Sequence, residues 1–241
     1  MKLKILWFYH NIMDLYGDSG NIKVLKKRCL DRNIEVIVDT LGLNEDKELN
    51  EYDLIFIGGG ADNEQSIIYN DLISRKSQIL NALESKTFFL LICGGYQLFG
   101  QYYKDQDGKI IDGLKIFDYY TKATNDGRCI GNILINVKID DEDFNLVGFE
   151  NHGGQTHNVT TPLGKVIKGH GNMLKSEYEG FYNGQVLGTY LHGPLLPKNV
   201  KLADLIIKKA LAKRYGNVEL IKLDDKLEDL AHNIMSNRLT N

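Results

Sequence analysis

The segment LLICGGYQLFG (residues 90–100) sets a buried apolar run directly against Cys93, two glycines and a helix-like stretch. This is the layout of a nucleophile elbow. The tight strand-to-helix turn strains the nucleophile's backbone, needs small neighbours, and lifts the side chain out at the carboxyl end of the strand. The helix N-terminus beyond it favours a thiolate over a thiol. A cysteine can also simply end a core strand as a small apolar residue, and this segment alone leaves that alternative open.

A thiolate attacking a carbonyl needs donors for the oxyanion and a base. The cluster LIFIGGGADNEQ (54–65) supplies candidate donors, because glycines 58–60 let backbone N–H groups approach closely, and the N–H of Gly94 beside the thiol is a second source. A phosphate-binding loop is the competing reading, but neither GxGxxG at this cluster nor GxxxxGK[ST] anywhere is present. Of six histidines (His10, His152, His157, His170, His192 and His232), two stand at strand ends. His192, in VLGTYLHGP (186–194), is expected to face Cys93 across the carboxyl edge of a sheet. His152, in GFENHGG (148–154), is expected nearer the substrate or in a structural role. No Asp or Glu follows His192 within three residues, so a third triad member is not visible locally. A dyad, a carboxylate from a partner chain, or Glu150 nearby are the options.

Positioning these groups requires parallel strands. Continuous apolar runs at Leu3–Phe8, Glu35–Val38, Leu54–Ile57 and Phe88–Ile92 read as strands buried on both faces. Helical spacing falls between them at 20–31, with Ile22, Leu25, Cys29 and Leu30 on one face, and at 63–73 and 76–84. This alternation predicts a flavodoxin-like, doubly wound α/β fold with a mostly parallel sheet. It puts both glycine clusters at the sheet's carboxyl edge, where ligands bind. After Gly113 the chain turns β-rich, near Cys129–Ile139, Leu146–Phe149, Lys165–Lys168 and Gln185–Leu191, as additions to the sheet or a small antiparallel layer. Helices follow over 198–215, with Gly216 as C-cap, and 224–237.

Composition excludes several classes. The 241 residues carry 29 Lys plus Arg against 32 Asp plus Glu, a net charge of −3, without the basic excess of a nucleic-acid surface. The longest apolar run, Phe88–Cys93, is far short of the roughly 20 residues of a membrane helix. No secretory h-region forms before His10, so a cytoplasmic location is expected. Three widely spaced cysteines (Cys29, Cys93 and Cys129) argue against disulfides and structural zinc, and no metal site is expected. Without repeats, low-complexity stretches or a linker, residues 1–241 read as one domain.

The elbow, GFENHGG and GTYLHG segments together resemble the class I glutamine amidotransferases, in the branch shared with cobyric acid synthase glutaminase domains. Within that branch, NIKVLKKR, FIGGGADNEQ, GFENHGGQT and GTYLHGPLLPKN are most similar to the glutaminase subunits of lipid II isoglutaminyl synthase, from about Tyr16 onward. The resemblance implies that Cys93 attacks the side-chain amide of L-glutamine, with His192 as general base and then acid. It implies an oxyanion hole at Gly60 and Gly94, and Arg128 binding the substrate, where its guanidinium could pair with the α-carboxylate. Gln97, one helical turn past the nucleophile, would line the same pocket. As in that family, the glutamate two residues after the histidine is missing, with Pro194 in its place.

The resemblance further implies that an aspartate of the partner completes the triad, making the isolated chain a poor or partner-dependent glutaminase. The partner would be a MurT-like Mur-ligase subunit. It would use ATP and Mg to amidate the D-glutamate α-carboxyl of lipid II to D-isoglutamine, while this chain itself holds no cofactor. Corrinoid amidation is the nearest rival, although cobyric acid synthases usually carry an ATP-binding domain in front, for which a first strand at Leu3 leaves no room. A thiol hydrolase on the same sheet, or a non-catalytic module of the same fold, would also use parts of this pattern.

Overall fold

The computed structural model describes residues 1–240. Its first half alternates strands and helices: β1 (Lys2–Phe8), α1 (Ser19–Leu30), β2 (Glu35–Leu41), β3 (Leu54–Ile57), α2 (Asp62–Ser74), α3 (Lys76–Glu84), β4 (Phe88–Ile92) and the short α4 (Gly94–Leu98). In the second half come β5 (Tyr102–Lys104), β6 (Ile110–Asp112), β7 (Tyr120–Ala123), β8 (Cys129–Ile139), β9 (Glu142–His152), β10 (Gly154–His157), β11 (Gly164–Lys168), β12 (Tyr178–Glu179), β13 (Phe181–Tyr182) and β14 (Val186–Thr189). Helices α5 (Val200–Tyr215) and α6 (Lys226–Thr240) follow.

The main sheet has the order β13-β14-β4-β3-β1-β2, parallel throughout except for the edge strand β13. Reading from β2 to β14, this is the flavodoxin-type doubly wound order, with β14 in the place of the fifth strand. Every residue of β3, β4 and β14 is buried, which is why β3 and β4 read as unbroken apolar runs. The sheet's carboxyl ends therefore bring residues 58–60, 93 and 190–192 side by side, although they are up to 134 positions apart in sequence.

Two four-stranded sheets make up the addition after Gly113 and its approach: β10-β7-β5-β6 and β12-β11-β8-β9. The β8–β9 hairpin pairs eleven residues on each side and turns at Asp140, whose φ of +52° suits a tight two-residue connection. Strand β9 is longer than the apolar stretch Leu146–Phe149, because the polar Asp143, Asn145 and Asn151 alternate with buried neighbours along it. The α1 stripe also differs from its reading. Ile22, Leu25 and Cys29 are buried, but Leu30 is 54% exposed. Leu30 follows Cys29 by one position, about 100° around the helix, and so falls off the stripe.

Helix α5 packs over β1 and β4 and against α1. Arg28 of α1 grips Asp204 of α5 through Nε and Nη2 at 2.6 and 2.7 Å, and Arg32 reaches the same carboxylate at 2.6 Å. Breaking one partner of so sheltered a cluster would strand the others, so it holds α1 in a fixed position on the sheet. Gly216 caps α5 with φ +70°, as its place in the sequence predicts. Among the described residues no helix is long and apolar enough to cross a membrane.

Candidate active site

Cys93 occupies the one residue between β4 and α4, with φ +48° and ψ −104°, a conformation L-residues adopt only when their surroundings force it. The forcing bonds are visible. The Cys93 N–H donates to the carbonyl of Thr189 at 2.8 Å, continuing the β4–β14 ladder, and the Cys93 carbonyl accepts from the Gln97 N–H at 2.9 Å, starting α4. The side chain, 6% exposed, ends at a cavity of about 470 Å³, a volume suited to a small metabolite.

His192 stands just beyond β14. Its main chain is clamped to Phe149 of β9 by a pair of hydrogen bonds, N–H to carbonyl in both directions at 2.8 and 3.1 Å. The imidazole is fully buried. Its Nδ1 faces Oδ1 of Asp18 at 3.4 Å, an equally buried carboxylate from the turn before α1. That separation is longer than the roughly 2.7–2.9 Å of a formed charge-assisted bond, and neither atom has another partner among the described residues. Desolvation alone would depress the histidine, but the facing Asp18 carboxylate and the Cys93 thiol override it and push the imidazole up to about 10. The arrangement favours an imidazolium at neutral pH. Asp18 carried no signal in the sequence; it directly precedes α1. Its side chain makes no cap bond and turns inward instead.

The loop after β3 closes the other side. Gly59 donates its N–H to Asp18 Oδ2 at 2.7 Å. A Cβ on Gly59 would lie 2.6 Å from the His192 ring, 3.2 Å from Asp18 Oδ2 and 3.5 Å from Cys93 Cβ, so the glycine is the point where all three groups converge. Gly60 lines the cavity beside Cys93, and its Cα is packed so closely on Met13 that a side chain there would meet the sulfur at 2.4 Å. Gly94 opens α4 directly behind the thiol, against the Gln65 side chain. Gly60 and Gly94, from two loops, thus both adjoin Cys93.

Arg128, Gln97 and His152 line the cavity together with Cys93 and Gly60. Arg128, just before β8, is exposed and is aimed by Asn151, whose Oδ1 accepts from Nη2 and Nε at 3.0 and 3.2 Å. The Asn151 amide donates in turn to the hydroxyl of Tyr16, whose ring meets that of His192 edge-on at 5.1 Å. Gln97 has both amide ends engaged, accepting from Gln65 at 3.1 Å and donating to the Tyr190 hydroxyl at 3.0 Å, so it shapes the pocket floor. His152 is stacked on Tyr190 at 3.6 Å between ring centroids, and its Nδ1 meets the Gly154 carbonyl at 2.6 Å. Burial, the main cause, pushes it down to about 3, so the ring is neutral and forms part of the wall. Glu150 bonds the N–H groups of His170 and Gly171 at 2.7 and 2.9 Å and thus secures a turn. The carboxylate at the His192 imidazole is Asp18.

The profile of the CobB/CobQ-like glutamine amidotransferase domain matches residues 4–200. This chain belongs to that family. Similar proteins include the "Lipid II isoglutaminyl synthase (glutamine-hydrolyzing) subunit GatD" of Streptococcus pneumoniae, 42% identical over 94% of this chain and 87% of that one. The subunit of the same name from Staphylococcus aureus is 38% identical over 98% of this chain and 96% of its own length. A probable cobyric acid synthase of Methanocaldococcus jannaschii is 30% identical over 68% of this chain but only 36% of its own length. Among solved structures, a glutamine amidotransferase aligns with a TM-score of 0.53 at 13% identity, over 85% of this chain and 98% of that one. The glutaminase domain of a Trypanosoma brucei CTPS with bound acivicin aligns at 0.52 and 10% identity, over 91% and 96%. At such low identities these two structures speak for the amidotransferase fold, in agreement with the flavodoxin-type order of the main sheet.

Proposed function

We propose that this chain is the glutaminase subunit of a lipid II isoglutaminyl synthase. The observation that carries the chemistry is a cysteine held at a left-handed elbow on a metabolite-sized cavity with a buried imidazole against it, in a chain of a glutamine amidotransferase family. The Cys93 thiolate attacks the side-chain carbonyl carbon of L-glutamine. The N–H groups of Gly60 and Gly94 receive the oxyanion. As the tetrahedral intermediate collapses, the C–N bond breaks and the His192 imidazolium gives its proton to the departing nitrogen, which leaves as ammonia. His192, now neutral, takes a proton from water as it attacks the thioester, and glutamate departs with the thiolate restored. Arg128 pairs with the substrate α-carboxylate and selects an amino acid over a peptide amide.

The acceptor side rests on the relatives. Two subunits named for lipid II isoglutaminyl synthase align over nearly their whole length, whereas the corrinoid enzyme aligns over about a third of its own, which favours peptidoglycan precursor amidation over corrinoid amidation. The ammonia passes to a MurT-like ligase subunit that binds ATP and Mg and amidates the D-glutamate α-carboxyl to D-isoglutamine, in the cytoplasm. The test is glutamate release from L-glutamine by the purified chain, alone and with that ligase subunit. Release that disappears in Cys93→Ser is expected; no release in either preparation contradicts the reading.

A further inference from the structure

Gln65 stands one turn into α2 and lines the cavity together with Cys93 and Gly60. It is only 2% exposed, and its amide is wedged between the glycines on either side of the thiol. Its Nε2 donates to the Gly60 carbonyl at 3.2 Å and to Gln97 Oε1 at 3.1 Å, while a Cβ on Gly94 would lie 3.0 Å from Gln65 Cδ. A carbonyl can only accept, so the Gly60 contact fixes which end of the Gln65 amide is nitrogen and which is oxygen. That oxygen, Oε1, is buried and has no hydrogen-bond partner among the described residues. Gln97 does not supply one, because its own Nε2 donates to the Tyr190 hydroxyl at 3.0 Å. A buried acceptor without a donor is destabilising, and on the wall of a reaction cavity it marks where a ligand's donor belongs. We propose that Gln65 Oε1 accepts a hydrogen bond from the γ-amide N–H of L-glutamine and thereby makes the site select the amide over the γ-carboxylate of glutamate.

This rests on the proposed glutaminase reading and names the group that reads the reacting end of its substrate. L-glutamine carries N–H donors in two places, the α-ammonium and the γ-amide. With the γ-carbonyl at Cys93, between Gly60 and Gly94, the amide nitrogen is bonded to the attacked carbon and lies on the Gln65 side. The α-ammonium is three carbons away, toward Arg128. Neither of the neighbouring acceptors competes for the amide, since the Gly60 carbonyl and Gln97 Oε1 both already accept from Gln65 itself. Glutamate in the same pose sets a carboxylate oxygen against Oε1, two acceptors with no proton between them, so the product is rejected where the substrate is held. A site whose buried polar group is left unpaired by the wrong ligand discriminates more sharply than one that relies on shape.

Gln65→Met keeps the length of the side chain and removes the acceptor. Glutamate release is measured, with the ligase subunit present, from L-glutamine and from L-glutamic acid γ-methyl ester, which has no N–H at the scissile bond. The ratio of kcat/KM for amide over ester is expected to fall about 5–100-fold in the variant, because only the amide loses a partner. A merely loosened site slows both substrates and leaves the ratio where it was, so a smaller fall, or none, overturns the proposal. Inhibition by glutamate, taken as its Ki divided by the glutamine KM, should strengthen in the variant, and an unchanged quotient equally overturns it. If Gln65→Met does not fold, Cys93→Ser, with Gln65 intact, decides by titration calorimetry. Glutamine should bind it at least about 5-fold more tightly than the γ-methyl ester, and a smaller difference overturns the proposal. A wild type that releases glutamate from neither substrate overturns the glutaminase reading and this assignment together, whereas an active wild type with an unmoved ratio in the variant overturns this assignment alone.

Discussion

The carboxyl edge of the parallel sheet and the β8–β9 hairpin both contribute to the active site, and they do so by different means. On the sheet edge, Cys93, His192, Asp18 and Gly59 are held by main-chain ladders, tight glycine contacts and complete burial. On the hairpin side, Arg128 is exposed and owes its aim to side-chain bonds from Asn151, which links it to Tyr16. Bond-making groups need tolerances of a fraction of an ångström, which ladders supply; a carboxylate clamp needs charge and reach, which a guided surface arginine supplies. The sheet edge should therefore govern kcat and the hairpin KM.

The largest effect that could break this division is Gly59→Ala. Its methyl group would meet the His192 ring, and a shift of the imidazole approaching 1 Å is expected to cost on the order of 100-fold in kcat with KM little changed. Steady-state glutaminase kinetics check it, and a rise in KM alone would contradict it. Next is Arg128→Ala. Loss of a charge-assisted pair of about 1.5–3 kcal/mol should raise glutamine KM roughly 10–100-fold while kcat stays within a few-fold. A fall in kcat at unchanged KM would place Arg128 with the chemistry instead.

The smallest effect concerns stability. Glu179 is fully buried and ionises only near pH 8 in the folded chain, against 4.5 for its ordinary value, so the unfolded chain gives up its proton first as pH rises. Its penalty is absent below about pH 4.5 and grows up to about pH 8. Glu179→Gln should accordingly gain in Tm relative to wild type between pH 5 and pH 8, measured by thermal melts. A Tm difference independent of pH would contradict this.

Much of the sheet edge could be read from the sequence, because strands buried on both faces and glycines at their ends are local signals. Leu54–Ile57, Phe88–Ile92 and Cys129–Ile139 match the observed strands residue for residue. The connection between Cys93 and His192 also follows from local signals once both are placed at carboxyl ends of parallel strands. Asp18 had no such signal. It lies in no strand, directly precedes a helix, and meets His192 from 174 positions away only because β1 and β14, with β3 and β4 between them, end at the same carboxyl edge. A capping residue whose side chain is not needed for the cap is invisible until the tertiary structure shows where the carboxylate points. Asn151 and Tyr16 were hidden for the same reason, since the bond that joins them spans 135 positions. The minor strands β5, β6, β7, β12 and β13 are two to four residues long, too short for alternation to register.

The central claim, that Cys93 forms a covalent adduct at the γ-carbonyl position of a glutamine-shaped ligand, is tested most directly by trapping. Treating the chain with 6-diazo-5-oxo-L-norleucine and mapping the adduct by peptide mass spectrometry should give stoichiometric modification at Cys93, blocked by excess L-glutamine, with Cys29 and Cys129 untouched. Modification spread over the three cysteines without protection by glutamine, or none at Cys93 while glutamate is still released, would contradict it.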